Sequence, residues 1–182
     1  MNPAIIVVDM LKDAVTPFSL DIVAPINRLT RFARDRSIPV VFAMDSFLSG
    51  DFVFRGKMKP HCLRGTAGAE VMDQLQQRDT DIYLPKRRFS AFYKTDLDQT
   101  LRLLQVDTVA IVGINTHWCV LNTAFDALAN DFATRIITDC CASFNAETHA
   151  SVLKTYTRNP LYPLFQLVTM EIFRADFENR EI

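Results

Sequence analysis

Val109-Ala-Ile-Val112, followed without a break by Gly113-Ile-Asn-Thr-His-Trp-Cys119-Val120, is the stretch that decides the fold. A short apolar run ending at a glycine reads as a strand buried on both faces. From Thr116 the chain reads as the first turn of a helix, with Val120, Ala124, Ala127 and Leu128 on one face behind it. Strand, sharp turn and helix together make half of a parallel β-α-β unit. Similar β-rich runs lie on either side, at 4–8, 38–43, 81–84, 134–138 and 165–169, most of them bounded by Asp, Pro or Gly. Between them stand apolar faces at helical spacing: Ile22, Ile26, Leu29 and Phe32–Ala33; Val71, Met72 and Leu75; Leu97, Leu101 and Leu104; Val152 and Tyr156. This alternation predicts an α/β fold. Its expected form is a three-layer α/β/α sandwich, doubly wound and Rossmann-like, around a mostly parallel sheet of about six strands.

The 182 residues suit one domain over 1–182 with a single substantial core. A net charge of −1 leaves no basic footprint of the kind nucleic-acid binding needs. No run approaches the roughly 20 apolar residues of a membrane span, and no basic segment precedes the first apolar run as in a secretory signal. The cysteines, Cys62, Cys119, Cys140 and Cys141, form no C-x-x-C pair and are sparse for a disulfide scaffold. Free thiols and a cytoplasmic location are expected.

In open sheets of this kind, ligands bind beyond the carboxyl ends of the strands. Asp9 ends the run Ala4–Val8, Lys86 follows Asp81-Ile-Tyr-Leu-Pro85, and Cys119 lies just past the 109–112 run. The three are thereby expected to face one crevice. Taken singly, each has a plain structural use: a buried small hydrophobe, a turn cap and a solvated cation. Taken together, they are a coherent set for acyl transfer. A thiolate attacks a carbonyl carbon, a carboxylate accepts the thiol proton, and an ammonium favours both ionised partners. The helix start beside Cys119 also favours thiolate. N–H groups of the 115–119 turn are available for an oxyanion. Residues 45–66 hold no convincing helix or strand, and are expected to form an irregular lid over the same crevice.

These segments, in this order, resemble the isochorismatase-like superfamily, which includes nicotinamidases, carbamoylsarcosine amidohydrolases and related cysteine hydrolases. The resemblance runs through Ile6-Val-Val-Asp9-Met-Leu-Lys-Asp13, Pro60-His-Cys-Leu-Arg-Gly-Thr-Ala-Gly-Ala-Glu70, Lys86-Arg-Arg-Phe-Ser-Ala-Phe92 and Gly113–Val120, then Thr123, Ala124 and Asp126–Ala127. It implies a catalytic triad of Asp9, Lys86 and Cys119. It also implies a cis peptide between Ile114 and Asn115, with Asn115 and Cys119 as oxyanion donors. The implied activity is hydrolysis of a small amide, imide or ureido compound through a thioester, releasing ammonia or amine. The alternatives are vinyl-ether hydrolysis of the isochorismate type, which uses no cysteine nucleophile, and a non-catalytic binding or scaffold role. Self-association into a dimer or tetramer is common among such proteins, and the apolar stretch Asn159–Phe165 suits either that or the approach to the last strand.

The chain also departs from that pattern. Nicotinamidases of the family bind a metal through Asp-x-His and a later His, whereas here Asp45-Ser46-Phe47 is followed by His61, with Met58 where a tryptophan is expected. Asp45 and His61 alone make a vestigial site. No metal or other cofactor is expected, and nicotinamide is a doubtful substrate. Leu11 and Ala14 replace a polar and an aromatic residue beside Asp9, which implies a pocket that is broader or differently filled. Phe47, Phe52, Phe54, Phe89 and Trp118 are candidates to line it. Arg55, Lys57, Lys59 and Arg64, with Arg87 and Arg88, are an ordinary solvated set or else a basic lid for a substrate carboxylate. His117, two residues from Cys119, does not face it on a helix and is expected at the rim or an interface. His149 is expected in solvent, Cys140 and Cys141 in packing, and the charged tail after Arg174 in mobile chain.

Overall fold

A computed structural model of the chain describes residues 1–179. Its strands are β1 (Pro3–Val8), β2 (Val40–Asp45), β3 (Ile82–Lys86), β4 (Thr108–Ile114), β5 (Ala133–Ala142) and β6 (Phe165–Val168). They form one sheet in the order β3-β2-β1-β4-β5-β6, and every neighbouring pair is parallel. The order reverses between β1 and β4, and the crevice of a doubly wound sheet lies at that reversal. The helices are α1 (Pro17–Leu20), α2 (Val23–Arg34), α3 (Leu97–Leu103), α4 (Leu121–Ala129), α5 (Ala146–Tyr156) and α6 (Met170–Glu178).

The two faces of the sheet carry separate cores. Ile5, Val7, Val40, Phe42, Ala110 and Val112 point to one side, against Ile26, Leu29 and Phe32 of α2 and Phe173 and Phe177 of α6. Ala4, Ile6, Val8, Val41, Val109 and Ile111 point to the other, against Leu97 and Leu101 of α3 and Val120, Ala124 and Ala127 near and within α4. Side chains alternate across a strand, so runs apolar at every position serve both layers at once. Each fully buried Val, Ile or Phe contributes roughly 1.5–3 kcal/mol, and β1 is buried at all its positions. Two helix starts are fixed by side-chain caps. Asn145 accepts the Thr148 N–H at 2.8 Å, and Thr169 accepts the Ile172 N–H at 3.4 Å.

Two expectations fail. Val71, Met72 and Leu75 sit in the α2-side core but form no helix. The backbone here bonds to the segment after β1 instead: Lys12 N–H to Glu70 O, Met72 N–H to Met10 O, with a bridge between Leu11 and Val71. Side chains of α2 satisfy the backbone from Gln74 onward. Asn27 bonds both Gln74 O and Gln76 N–H, and Arg34 bonds Gln76 O while clamping Asp81 at 2.9 and 2.7 Å. With its polar groups so paired, the 46–81 connection holds only short 3₁₀ turns at Phe52–Arg55 and Ala67–Ala69. The chain after Arg174 is the second failure. It continues α6 to Glu178 because Phe177 packs edge-on against Phe32; its last three residues lie outside those described.

Candidate active site

The site is built where β1 and β4 stop pairing. Val8 lies opposite Gly113, whose φ is +108°. A Cβ on Gly113 would come within 2.2 Å of the Val8 carbonyl oxygen, so only glycine lets the strands close there. Just beyond, Asp9 takes a left-handed conformation (φ +51°), which Asp tolerates better than most residues. It leaves the sheet plane while its N–H still bonds Ala43 O at 2.9 Å. After β4 the Ile114–Asn115 peptide is cis. Residues Thr116–Val120 then form a π-helical turn that runs into α4 and carries Cys119.

These turns bring four groups together. The Lys86 ammonium, 1% exposed, lies 2.8 Å from Asp9 Oδ2 and 2.6 Å from Asp45 Oδ1, and donates to Arg88 O at 3.2 Å. Asp9 Oδ1 accepts the Asp45 N–H at 2.8 Å. The Cys119 sulfur and a carboxylate oxygen of each of Asp9 and Asp45 all lie within 4.8 Å of one another. Asp9, Lys86 and Cys119, expected together, are together. The fourth member, Asp45, was expected only as a remnant metal ligand. Its signal was present: it ends an apolar run as Asp9 does, and it pairs in register with Lys86 across β2 and β3.

The electrostatics reflect two carboxylates sharing one ammonium in a dry place. Burial opposes charge on Lys86, but the carboxylates of Asp9 and Asp45 outweigh it and hold the ammonium protonated. One cation cannot fully serve both acids, so burial and then the Asp9 charge push Asp45 up to about 7. The Cys119 thiol is pushed well above its ordinary range, first by burial and then by Asp9, whose charge outweighs the help from Lys86. The tilt toward thiolate expected from the helix start does not prevail. Desolvation and two nearby carboxylates outweigh the helix start, and the thiol rests protonated, hydrogen-bonded to Asp9.

A cavity of about 840 Å³ opens from this cluster. Asn115, Phe47, Phe52, Phe89, Trp118 and Arg55 all line it. The rings of Phe89 and Trp118 lie 5.0 Å apart, with Trp118 half exposed. Phe54 is not in the wall and packs behind it on Phe47 and His61. Arg64 is likewise outside, held by Ser46 Oγ at 3.1 Å. Arg87 and Arg88 turn to Asp51, a buried acid at the start of the first 3₁₀ turn. Asp13, not singled out from the sequence, lines the cavity and accepts the Cys62 N–H at 3.1 Å.

His61 lines the cavity, while the other two histidines are used elsewhere. His117 Nδ1 lies 3.0 Å from Ser143 Oγ and its ring packs on Phe144, outside the cavity wall. His149 is half-buried rather than solvated, because its Nδ1 meets the buried Thr116 hydroxyl at 2.9 Å and ties α5 to the Cys119 turn. All four cysteines are free and buried.

The metal site of nicotinamidase-type proteins does not fit this donor set. Asp45 is held by Lys86, buried Phe47 fills the middle position, and His61 Nδ1 meets Lys59 O at 2.9 Å. Beside Asp9, Asp45 and Cys119, the Lys86 ammonium already supplies the positive charge a cation would bring.

A doubly wound parallel sheet with a thiol, two acids and an ammonium gathered at its switch point defines a hydrolase architecture. Comparison with known proteins gives the family: residues 3–165 match the isochorismatase domain model, and the chain belongs to the isochorismatase family of hydrolases. It is 30% identical over 167 residues to a probable inactive nicotinamidase of Arabidopsis thaliana, covering 82% of this chain and 85% of that one. An isochorismatase-like hydrolase from Alkaliphilus metalliredigens superposes with a TM-score of 0.88 at 29% identity, covering 97% of this chain and 100% of the other. N-carbamoylsarcosine amidase from Thermoplasma acidophilum gives 0.82 at 28% identity, covering 93% and 97%. No helix among the described residues is long and apolar enough to cross a membrane.

Proposed function

We propose that this protein is a cysteine-dependent hydrolase of a small amide, imide or ureido compound. The observation that carries the reading is the convergence of Cys119 and Asp9 in the wall of one cavity, with Lys86 buried against Asp9. A resting thiol suits general-base activation: the proton leaves as the carbonyl arrives. Asp9 takes the Cys119 proton, and the sulfur bonds to the carbonyl carbon. The tetrahedral oxyanion is received by N–H groups of the 115–119 turn, with Asn115 and Cys119 as donors. Donors of this type contribute about 3–4 kcal/mol each to acyl-transfer transition states. Asp9 then returns the proton to the leaving nitrogen as the C–N bond breaks, and ammonia or amine departs. A water, deprotonated by Asp9, attacks the thioester. The acid is released, and the proton returns to sulfur. Lys86 remains an ammonium throughout and keeps its contact with Asp9.

No step in this cycle uses a metal. The test is ammonia release from a panel of small amides, with and without a chelator. Cys119→Ala is expected to lower turnover by at least about 1,000-fold with the fold retained by circular dichroism, and the chelator is expected to change nothing. A Cys119→Ala protein that keeps its rate removes the cysteine mechanism.

A further inference from the structure

The cavity wall combines an acidic and thiol cluster, aromatic rings and two basic side chains. Behind Asp9 and Asp45 in the wall, buried Lys86 offsets their charge. Phe47, Phe89 and Trp118 supply aromatic surface to the wall. Of the six basic residues the sequence offers for a lid, only Arg55 and Lys57 line the cavity. Both are exposed. Neither has a carboxylate within ion-pair distance among the described residues, whereas Arg87 and Arg88 share Asp51. The Arg55 guanidinium instead stands over the Phe52 ring at 5.8 Å. The one further acid in the wall, Asp13, is engaged with the Cys62 N–H. About 840 Å³ is also far more than an amide head fills, and falls in the range that holds drug-sized ligands.

We infer that the substrate is an amide or ureide with an apolar body and a carboxylate at the end opposite the scissile bond, and that Arg55 and Lys57 receive that carboxylate. The orientation rests on the hydrolase reading above, since Cys119 marks the scissile end. The aromatic wall residues take the body, and the guanidinium offers the carboxylate a planar pair of donors. Arg55 and Lys57 then determine specificity, and the sulfur chemistry is unchanged by which acid enters.

The test separates binding from turnover. Cys119→Ala protein is titrated by calorimetry with succinamate, glutaramate and 4-carbamoylbenzoate, each beside its methyl ester, at low ionic strength. At least one acid is expected to bind about tenfold or more tightly than its ester, the lower end of what a charge-assisted hydrogen bond supplies. In Cys119→Ala/Arg55→Ala/Lys57→Ala protein, folded by circular dichroism, that advantage is expected to fall below about twofold. Equal affinity for acid and ester across every pair, no binding by any member, or an advantage that survives the added substitutions overturns the inference. Each of these results is read without catalysis, so the wild-type assay for ammonia release tests the hydrolase reading separately.

Discussion

The two walls of the cavity are built on opposite principles. One is the carboxyl edge of the sheet, where Asp9, Asp45, Lys86 and Cys119 are buried and bonded to one another. The other is the 46–81 connection, where Phe52, Arg55 and Lys57 are exposed and regular structure is confined to short turns. The first wall cannot change without breaking the core. At Phe52, Arg55 and Lys57 the second can change residue by residue, because these side chains are exposed. Strand ends thus hold groups to the precision bond-making needs, while loops carry the selection of what enters.

The hardest test of that contrast removes the cation from the rigid wall. Lys86→Ala leaves Asp9 and Asp45 facing each other in a dry site with no counter-ion. Breaking a buried ion pair from one side costs about 3–5 kcal/mol. The urea midpoint is expected to fall accordingly, while Lys57→Ala on the other wall leaves it unmoved. Equal midpoints for the two variants would erase the distinction.

Gly113→Ala comes next. The added methyl meets the backbone oxygen of Val8 at 2.2 Å, and no rotamer change relieves a backbone clash. A left-handed φ adds strain for any side chain, and the combined loss is expected at roughly 2–4 kcal/mol. The other glycine in that φ range, Gly65 in the connection, has open space around its missing Cβ. Gly65→Ala therefore bears only the conformational cost, about 1 kcal/mol, and thermal melts of the two variants give the comparison directly.

A pH-dependent difference is smaller. Asp45 is held near 7 in the folded chain, above its ordinary 3.8. A carboxyl raised by folding contributes stability that is fully present below the unfolded value and lost as pH rises through the folded one. The wild-type urea midpoint is expected to drop between pH 5 and 8 by more than that of Asp45→Asn, which keeps an acceptor for Lys86 but does not titrate. Parallel profiles would assign the proton elsewhere.

What could be read from the sequence divides along the same line. Strands buried on both faces announce themselves by continuous apolar runs, and a polar residue directly after such a run is placed by the sheet itself. Asp9, Lys86 and Cys119 were legible for that reason. Asp45 obeyed the same rule but was obscured by its likeness to a metal ligand. The connection was legible only in part: its irregular course over the crevice and Phe47, Phe52 and Arg55 in the wall were read, but its contacts were not, because they are made by partners distant in sequence. The spacing of Val71, Met72 and Leu75 imitates a helix, yet their backbone is paired with residues 10–12 and with Asn27 and Arg34 of α2. Nor does any local pattern distinguish Arg55, which lines the cavity, from Arg64, which is held by Ser46, or from Arg87, which is drawn to Asp51. Likewise, the burial that keeps the Cys119 thiol protonated exists only once four strand ends have met.

Asp51 joins the two walls, so it gives the finest test. It accepts the Leu48 N–H at 2.8 Å and pairs with Arg87, the residue next to Lys86, thereby fixing the loop wall to the end of β3. Arg87 first, then the Leu48 N–H, hold its carboxyl down at about 2. The sign is opposite to that of Asp45: this contribution is present above the unfolded value near 3.8 and is lost only as pH falls through 2. The latch is therefore closed across the whole neutral range. Asp51→Asn weakens it without touching the buried cluster. Trypsin cleavage after Arg55 and Lys57 at neutral pH is expected to rise about two- to fivefold, the scale of a modest local opening, with the global urea midpoint changed far less than in Lys86→Ala. If cleavage stays at the wild-type rate, the connection is held by its aromatic packing on Phe47 and His61 rather than by this charge, and the two walls are joined through the core after all.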